Sequence, residues 1–383
     1  METYDVIVLG LGGIGTATAC ELARRGRRVL GIEQFDVGHN RGSSHGETRI
    51  IRKAYYEHPD YVPLLRRAYE RWYELEQQSG QRLFVECGVL SLGPADSDVV
   101  AGVLASAAEH ALLVEQYRPA ELSHRFPQFR IDDAWQGVLE RDAGLLFVER
   151  CVSAHAEQAR RYGAELHERE EVLGWRADER HVEVVTKRAR YAAERLVITA
   201  GAWATRLLAG IGVPFSVMRQ VAMWFAVSLP ERFRRDRFPC YCADTPAGFF
   251  YGFPMLDPLG VKVARHYGAA ELQDPTAVDW QIHPADETPL REFLAARLPG
   301  VDGAATRGSV CMYTLTPDRH FVIDLHPQHA NVAVAGGFSG HGFKFASVVG
   351  EILADLSEGG ATALPIEMFR AGRFASYGRS NTL

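Results

Sequence analysis

Near the amino terminus the chain reads Tyr4-Asp5-Val6-Ile7-Val8-Leu9-Gly10-Leu11-Gly12-Gly13-Ile14-Gly15-Thr16-Ala17-Thr18-Ala19-Cys20-Glu21-Leu22-Ala23-Arg24-Arg25-Gly26, then Arg28-Val29-Leu30-Gly31-Ile32-Glu33. Residues 4–10 are rich in Val and Ile without polar alternation, as a strand buried on both faces requires. Residues 16–25 place small apolar side chains at helical spacing, which predicts a helix packed closely on a sheet. Gly26 stands where left-handed backbone would end it. Residues 28–33 read as a second buried strand. Strand, helix and strand within about thirty residues predict a parallel pair joined by a right-handed crossover.

Between the first strand and the helix, Gly10 to Gly15 spell GxGxxG. Gly10 permits the tight turn, Gly12 admits a pyrophosphate against the backbone, and Gly15 lets helix and strand close up. Gly13 and Ile14 complete the loop, and the phosphates sit on the helix amino terminus, where N–H groups lack partners. Glu33, with Gln34 beside it, is placed to accept hydrogen bonds from a ribose 2′-hydroxyl. A carboxylate there would repel a 2′-phosphate, which argues against NADP.

The 383 residues are enough for two domains, with room for a third. Hydrophobic residues make up 47% and charged residues 23%, which is globular composition. A formal charge of -6 gives no reason to expect nucleic acid or an anionic membrane as partner. No apolar run approaches the ~18 residues of a spanning helix, and no basic segment opens the chain as in a signal peptide. Six cysteines without a CxxC pair suit a reducing compartment. Asn381-Thr382-Leu383 does not make a peroxisomal tripeptide. A soluble cytoplasmic protein is expected, with no metal site.

Further helices are expected at 61–78, at 99–113 with Asp96, Ser97 and Asp98 as possible caps, and at 149–162. Residues 196–201 read as a buried strand running into Gly201-Ala202-Trp203 and a helix. The pattern then turns β-rich, with strands at 221–227, 248–253 and 261–267. A late strand at 331–335 delivers Gly336-Gly337-Phe338-Ser339-Gly340-His341-Gly342 to a helix over 343–356. This second glycine loop offers a further set of free N–H groups. A reduced flavin carries negative charge around N1 and C2=O, which such a helix start stabilises, whereas a nicotinamide has no need of it. The cofactor read from these two loops is FAD.

These stretches, with Ser43-Ser44-His45-Gly46-Glu47-Thr48-Arg49-Ile50-Ile51-Arg52, Tyr251-Gly252-Phe253-Pro254, Cys311-Met312-Tyr313-Thr314 and Gly340-His341-Gly342-Phe343-Lys344-Phe345-Ala346-Ser347, resemble a known family over nearly the whole chain. It is the family of monomeric sarcosine oxidase, N-methyl-L-tryptophan oxidase and pipecolate oxidase. The fold class expected is α/β (α+β), a Rossmann-like FAD-binding domain with an inserted, mostly antiparallel β substrate domain. The boundaries expected are 1–85, 145–220 and 320–383 for the first domain, and 86–144 and 221–319 for the second.

The resemblance implies FAD attached covalently by a thioether to Cys311, a bond that needs a thiolate and positive charge nearby. Cys20, Cys87, Cys151, Cys240 and Cys242 are read as core or surface thiols. Ser44, Thr48, Arg49, Val172, Phe338, Gly340, Gly342 and Lys344 join the cofactor set, with Arg49 and Lys344 as cations near the ring. Arg52 and Lys344 match the pair that holds a substrate carboxylate, the first by its bidentate fork. A lysine at a helix start opposes the dipole unless an anion is close, so the conflict at Lys344 is itself a hint. Lys262 and His266 share one face of a strand; the first matches a lysine that promotes reaction with O₂, the second a histidine by the substrate. Tyr251 and Tyr313 match aromatic residues of the same pocket, and His45 completes the catalytic candidates.

The implied reaction is oxidation of a secondary amino acid by hydride transfer to flavin N5. The resulting imine hydrolyses, and O₂ becomes H₂O₂. Sarcosine, a bulky N-methyl amino acid and a cyclic imino acid such as pipecolate all remain open as substrates. So does a dehydrogenase or oxidase of a biosynthetic secondary amine. A flavin-binding protein without turnover is the non-enzyme alternative. A monomer with no macromolecular partner is expected.

Overall fold

The computed structural model describes residues 2–375 and 377, so the carboxyl-terminal tripeptide lies outside the described residues. The Glu2–Leu9 strand pairs in parallel with Val29–Ile32 on one side and with Arg190–Ile198 on the other. Parallel pairing continues outward to Glu165–His167 and His329–Gly336. Val172–Ala177, Val182–Thr186 and Val322–His326 join antiparallel, making eight strands. Ile7 and Val8 are fully buried, as the unbroken apolar run requires. The Gly13–Arg24 helix packs against Ala346–Gly359 and Val148–Arg161. Its small side chains permit this: a Cβ on Gly350 would come within 2.8 Å of Ala17 Cβ.

A second sheet of nine strands is built around Ser216–Phe225, which pairs antiparallel with Val261–His266 and Ala305–Leu315. Gly248–Phe253 and Cys240–Thr245 continue it, and the one parallel pairing joins Cys240–Thr245 to Val89–Pro94. A third, antiparallel sheet of Thr48–Ile51, Gly144–Phe147 and Phe84–Glu86 presents Arg49 and runs into Arg52. Among the described residues no helix is long and apolar enough to cross a membrane.

The expected elements are present with shifted ends. The first helix begins at Gly13, three residues before the expected start at Thr16, because Gly12 caps it. The second is Val62–Ser79, entered through a 3-10 turn at Pro59–Tyr61 and closed by Gly80 at φ +66°. The third is Asp98–Glu109, where Ser97 Oγ accepts the N–H of Val100 at 3.3 Å. The last begins later than expected: Phe343–Phe345 form a 3-10 turn and the α-helix runs over Ala346–Gly359. Many shorter elements were not assigned from the sequence, and three of them show why. Thr48–Ile51 is only four residues with a charge inside, Pro284–Arg297 contains Pro289, and the first half of Ala305–Leu315 is polar and partly exposed.

Candidate active site

The first glycine loop is shaped for something other than side chains. Gly10 takes φ +86°, and a Cβ there would lie 2.6 Å from the Thr199 carbonyl oxygen. At Gly15 a Cβ would lie 1.7 Å from the Gly10 carbonyl oxygen, so strand and helix are in contact there. Gly12 caps the helix without a side chain of its own, and Ser44 Oγ accepts the Gly13 N–H at 3.0 Å. A cleft of about 1390 Å³, counting space continuous with solvent, begins at Glu33, Gln34 and Val172. It passes Gly10, Gly12, Gly13, Ile14 and Ser44, and reaches Arg49, Tyr313, Phe338, Gly340 and Gly342. Glu33 accepts the N–H of Leu11 at 2.8 Å and of Phe35 at 3.1 Å, which fixes the carboxylate while leaving lone pairs for a hydroxyl.

The second glycine loop closes the far end. Gly340 takes φ +83°, and a Cβ there would lie 2.3 Å from the Tyr313 ring; at Gly342 it would lie 2.4 Å from Phe338 Cβ. An extended cleft, an open helix start and backbone with no room for a Cβ at either end fit a flavin dinucleotide.

A smaller cavity of about 480 Å³, counted the same way, adjoins this end and shares Arg49, Gly340 and Phe343 with it. Arg52, Tyr251, His266 and Lys344 line it, as the sequence reading groups them. Arg52 is 5% exposed. Its guanidinium lies 4.9 Å over the rings of both Tyr55 and Tyr56, and Nη2 pairs with Glu57 at 3.0 Å. Its buried Nε has no hydrogen-bond partner. Lys344 Nζ donates to the His341 carbonyl at 2.7 Å and to Tyr55 Oη at 3.2 Å. Burial, then the neighbouring Arg52, pulls its pKa down to about 7. His266 Nδ1 lies 3.2 Å from Tyr313 Oη, which is 3.4 Å from Tyr251 Oη. Burial, then His341, pushes His266 down to about 3, so the imidazole is neutral at physiological pH.

Five of the named residues line neither cavity: Gly15, buried where helix meets strand, and Lys262, Thr48, His45 and Cys311. Lys262 Nζ donates to the carbonyls of Gly46 at 2.5 Å and Thr48 at 3.1 Å, and to Thr48 Oγ1 at 3.2 Å. Thr48 therefore faces the lysine instead of the cleft. Burial first, then Arg49, brings Lys262 to about 7. His45 Nε2 donates to the Gly42 carbonyl at 3.1 Å, and burial with Arg49 beside it lowers its pKa to about 4. Cys311 sits on Ala305–Leu315 beside Met312, which lines the cleft. Burial pushes its thiol up, against the pull of Arg49, Lys262 and Arg219.

Sequence reading did not single out Glu57, Phe249 or His341 as site residues, yet all three line the smaller cavity. Cys242, read from the sequence as a core or surface thiol, lines it too, with Sγ 3.7 Å from Arg52 Nη1. The one available signal was Glu57, an acid five residues after Arg52 with two tyrosines between them.

A mixed sheet with a dinucleotide cleft, set against an antiparallel sheet with a cationic pocket, defines a flavin-dependent oxidoreductase. The chain belongs to the FAD dependent oxidoreductase family (DAO), whose pattern matches residues 5–356. It is 43% identical over 382 residues to monomeric sarcosine oxidase of Streptomyces avermitilis, covering 98% of each chain. With N-methyl-L-tryptophan oxidase of Salmonella dublin it shares 35% over 374 residues, 97% of this chain and 99% of the other. Among solved structures it is similar to NikD, an unusual amino acid oxidase essential for nikkomycin biosynthesis. The TM-score there is 0.84 at 27% identity, covering 97% of this chain and 98% of that one. L-proline dehydrogenase from P. horikoshii shares the fold, with a TM-score of 0.85 at 24% identity over 98% and 99% of the two chains.

Proposed function

We propose that the protein oxidises a secondary amino acid, sarcosine or another N-methyl amino acid, with O₂ as the final acceptor. The observation that carries this reading is Arg52, buried with Nε unpartnered, facing one cavity together with Lys344. With Arg49 at its edge the cavity presents three cationic side chains and one carboxylate, Glu57, a deficit of negative charge that a substrate carboxylate makes good. The names of the relatives, monomeric sarcosine oxidase and N-methyl-L-tryptophan oxidase, support it.

Glu33, Gln34 and Val172 would hold the adenosine end of FAD, and Gly12, Gly13 and Ser44 the phosphates. Arg49, Phe338, Gly340, Gly342 and Lys344 would hold the ring end. When bound, FAD takes two electrons from the C–H bond beside the substrate nitrogen and passes them to O₂, leaving an imine that water hydrolyses. Around that chemistry the chain binds and orients. Arg52 and Lys344 fix the carboxylate, and neutral His266 adds no positive charge beside an amine that must give up its proton. Tyr251 walls the cavity, and Tyr313, which lines the adjoining cleft 3.4 Å from the Tyr251 hydroxyl, helps exclude water. Lys262, a cation in a dry setting, favours negative charge developing on O₂. A thioether at Cys311 belongs to the same proposal, supported by the three cations that favour its thiolate.

The eight-stranded sheet then serves as the FAD-binding part and the nine-stranded sheet as the substrate part. A monomer is supported by the name of its relatives, and a cytoplasmic setting by six free thiols among the described residues. A panel of amines scored by peroxide release tests the reading, and pipecolate belongs on it because the walls of Tyr56, Phe249 and Tyr251 also suit a cyclic amine. Absorbance of acid-precipitated, washed protein tests the thioether: yellow protein is expected, and colourless protein would refute the link.

A further inference from the structure

A tight turn beside the site spans residues 46–48. Gly46 takes φ +89° and Glu47 φ +68°, and the Thr48 N–H donates back to the Gly46 carbonyl at 2.9 Å. A bond of this span about a positive-φ centre is a γ-turn of the rare, strained kind. Glu47 has a side chain, so surrounding contacts must hold it in place, and three do. The Glu149 carboxylate accepts the Gly46 N–H at 2.7 Å and the Glu47 N–H at 3.1 Å to each oxygen. The Val148 N–H donates to the Glu47 carbonyl at 2.9 Å. Arg307 pairs with the Glu47 carboxylate.

On its other side the turn meets Lys262. The Gly46 and Thr48 carbonyls and the Thr48 hydroxyl accept from an ammonium that is 3% exposed, and the rings of Trp224 and Phe253 lie 5.0 and 4.7 Å from it. Three acceptors and two ring faces are the partners a buried cation demands.

We propose that Glu149 is a positioning residue for Lys262: its carboxylate holds the strained turn at 46–48, which aims two backbone carbonyls at the ammonium. The role rests on the reading of Lys262 as the cation that faces O₂. Without the carboxylate the turn can relax toward extended backbone, its carbonyls swing away, and a nearby negative charge is lost. Both changes favour the neutral amine. The groups facing Lys262 are Arg49 from the third sheet, Cys311, Cys240, the Arg307–Glu47 pair and Glu149. Arg49 opposes the charged form, while Glu149 and Glu47 support it.

The test uses flavin-loaded protein carrying ¹³Cε-labelled lysine, with Lys262 assigned by its loss in Lys262→Met and titrated by NMR. In Glu149→Gln the Lys262 midpoint should fall by about one pH unit. The pH profile of flavin reoxidation should move down with it, while KM for the amino acid changes less than about twofold. Glu149→Asp, which keeps the charge at shorter reach, should shift less. An unchanged midpoint in Glu149→Gln overturns the proposal, as does an equal shift in both variants or a KM that rises as much as reoxidation slows. Should Glu149→Gln not fold, Glu149→Asp decides: a lowered midpoint supports the proposal and a wild-type titration overturns it. Unaltered reoxidation in Lys262→Met would instead remove the oxygen role while leaving the cradle intact.

Discussion

Arg52 and Lys344 carry charge into a site that offers only Glu57 to balance it, and the consequences can be measured one side chain at a time. Arg52→Ala removes a buried charge-assisted contact and leaves Glu57 without its partner, a loss of about 3 kcal/mol, or roughly a hundredfold in KM for a carboxylate substrate. Arg52→Lys should recover little, because an ammonium cannot reproduce the fork. Steady-state kinetics check both, and an unaltered KM would take Arg52 out of the site. Lys344, brought to about 7, loses its charge as pH rises past that value, while Arg52 and the bound carboxylate keep theirs. A carboxylate inhibitor that lacks an amine should therefore bind progressively more weakly above pH 7, and Kd measured across that range tests it. Both cations were singled out through the family resemblance, and a local hint accompanied it, Arg52 following two apolar residues and Lys344 standing beside a glycine loop. Cys242 was not, because its place exists only once the Cys240–Thr245 strand is laid beside Arg52. Glu57 is instead a local partner, five residues on, that an acid after two tyrosines did signal.

At the scale of elements, glycine placement and burial decide what the chain can do. The Glu2–Leu9 strand and its helix could be read directly, since each is marked by an unbroken pattern of its own. Thr48–Ile51 and Ala305–Leu315 could not, because their stability comes from neighbouring strands and not from local pattern. The late helix begins after a 3-10 turn, so Lys344 sits within that turn, two residues ahead of the α-helical start, and donates a hydrogen bond to the His341 carbonyl. Gly10→Ala places a methyl group 2.6 Å from the Thr199 carbonyl at a φ of +86°. The variant should purify with much less than one flavin per chain, read from its absorbance; full occupancy would show that the loop tolerates the strain and does not shape the cradle.

For the whole molecule, buried ionisable groups couple the site to stability. Lys262 and Lys344 fall from 10.5 to about 7, so between those values the unfolded chain binds more protons than the native one. Stability from these lysines accordingly rises as pH climbs through that window. Glu140 acts in a lower window. Burial raises it from 4.5 to about 7, so the native state holds the extra proton and stability falls as pH rises between those values. Lys344→Met should flatten the rise in Tm above pH 7, followed by calorimetry; an unaltered slope would mean the lysine is not desolvated in the native protein. The packing of the sheets that creates this burial was only partly legible. Composition and the first strand announced an α/β core, but the nine-stranded sheet draws strands from four separate stretches that no local pattern joins.

On the proposed function, one cavity recognises a carboxylate and a secondary amine together beside a flavin. The most direct measurement mixes the yellow protein, without air, with sarcosine, with glycine and with dimethylamine, and follows the visible flavin band before oxygen is admitted. Rapid bleaching by sarcosine or another N-methyl amino acid is expected, with return of colour and peroxide when air enters, and little change with glycine or dimethylamine. Bleaching by dimethylamine as fast as by any N-methyl amino acid, or none by any secondary amino acid, would contradict it.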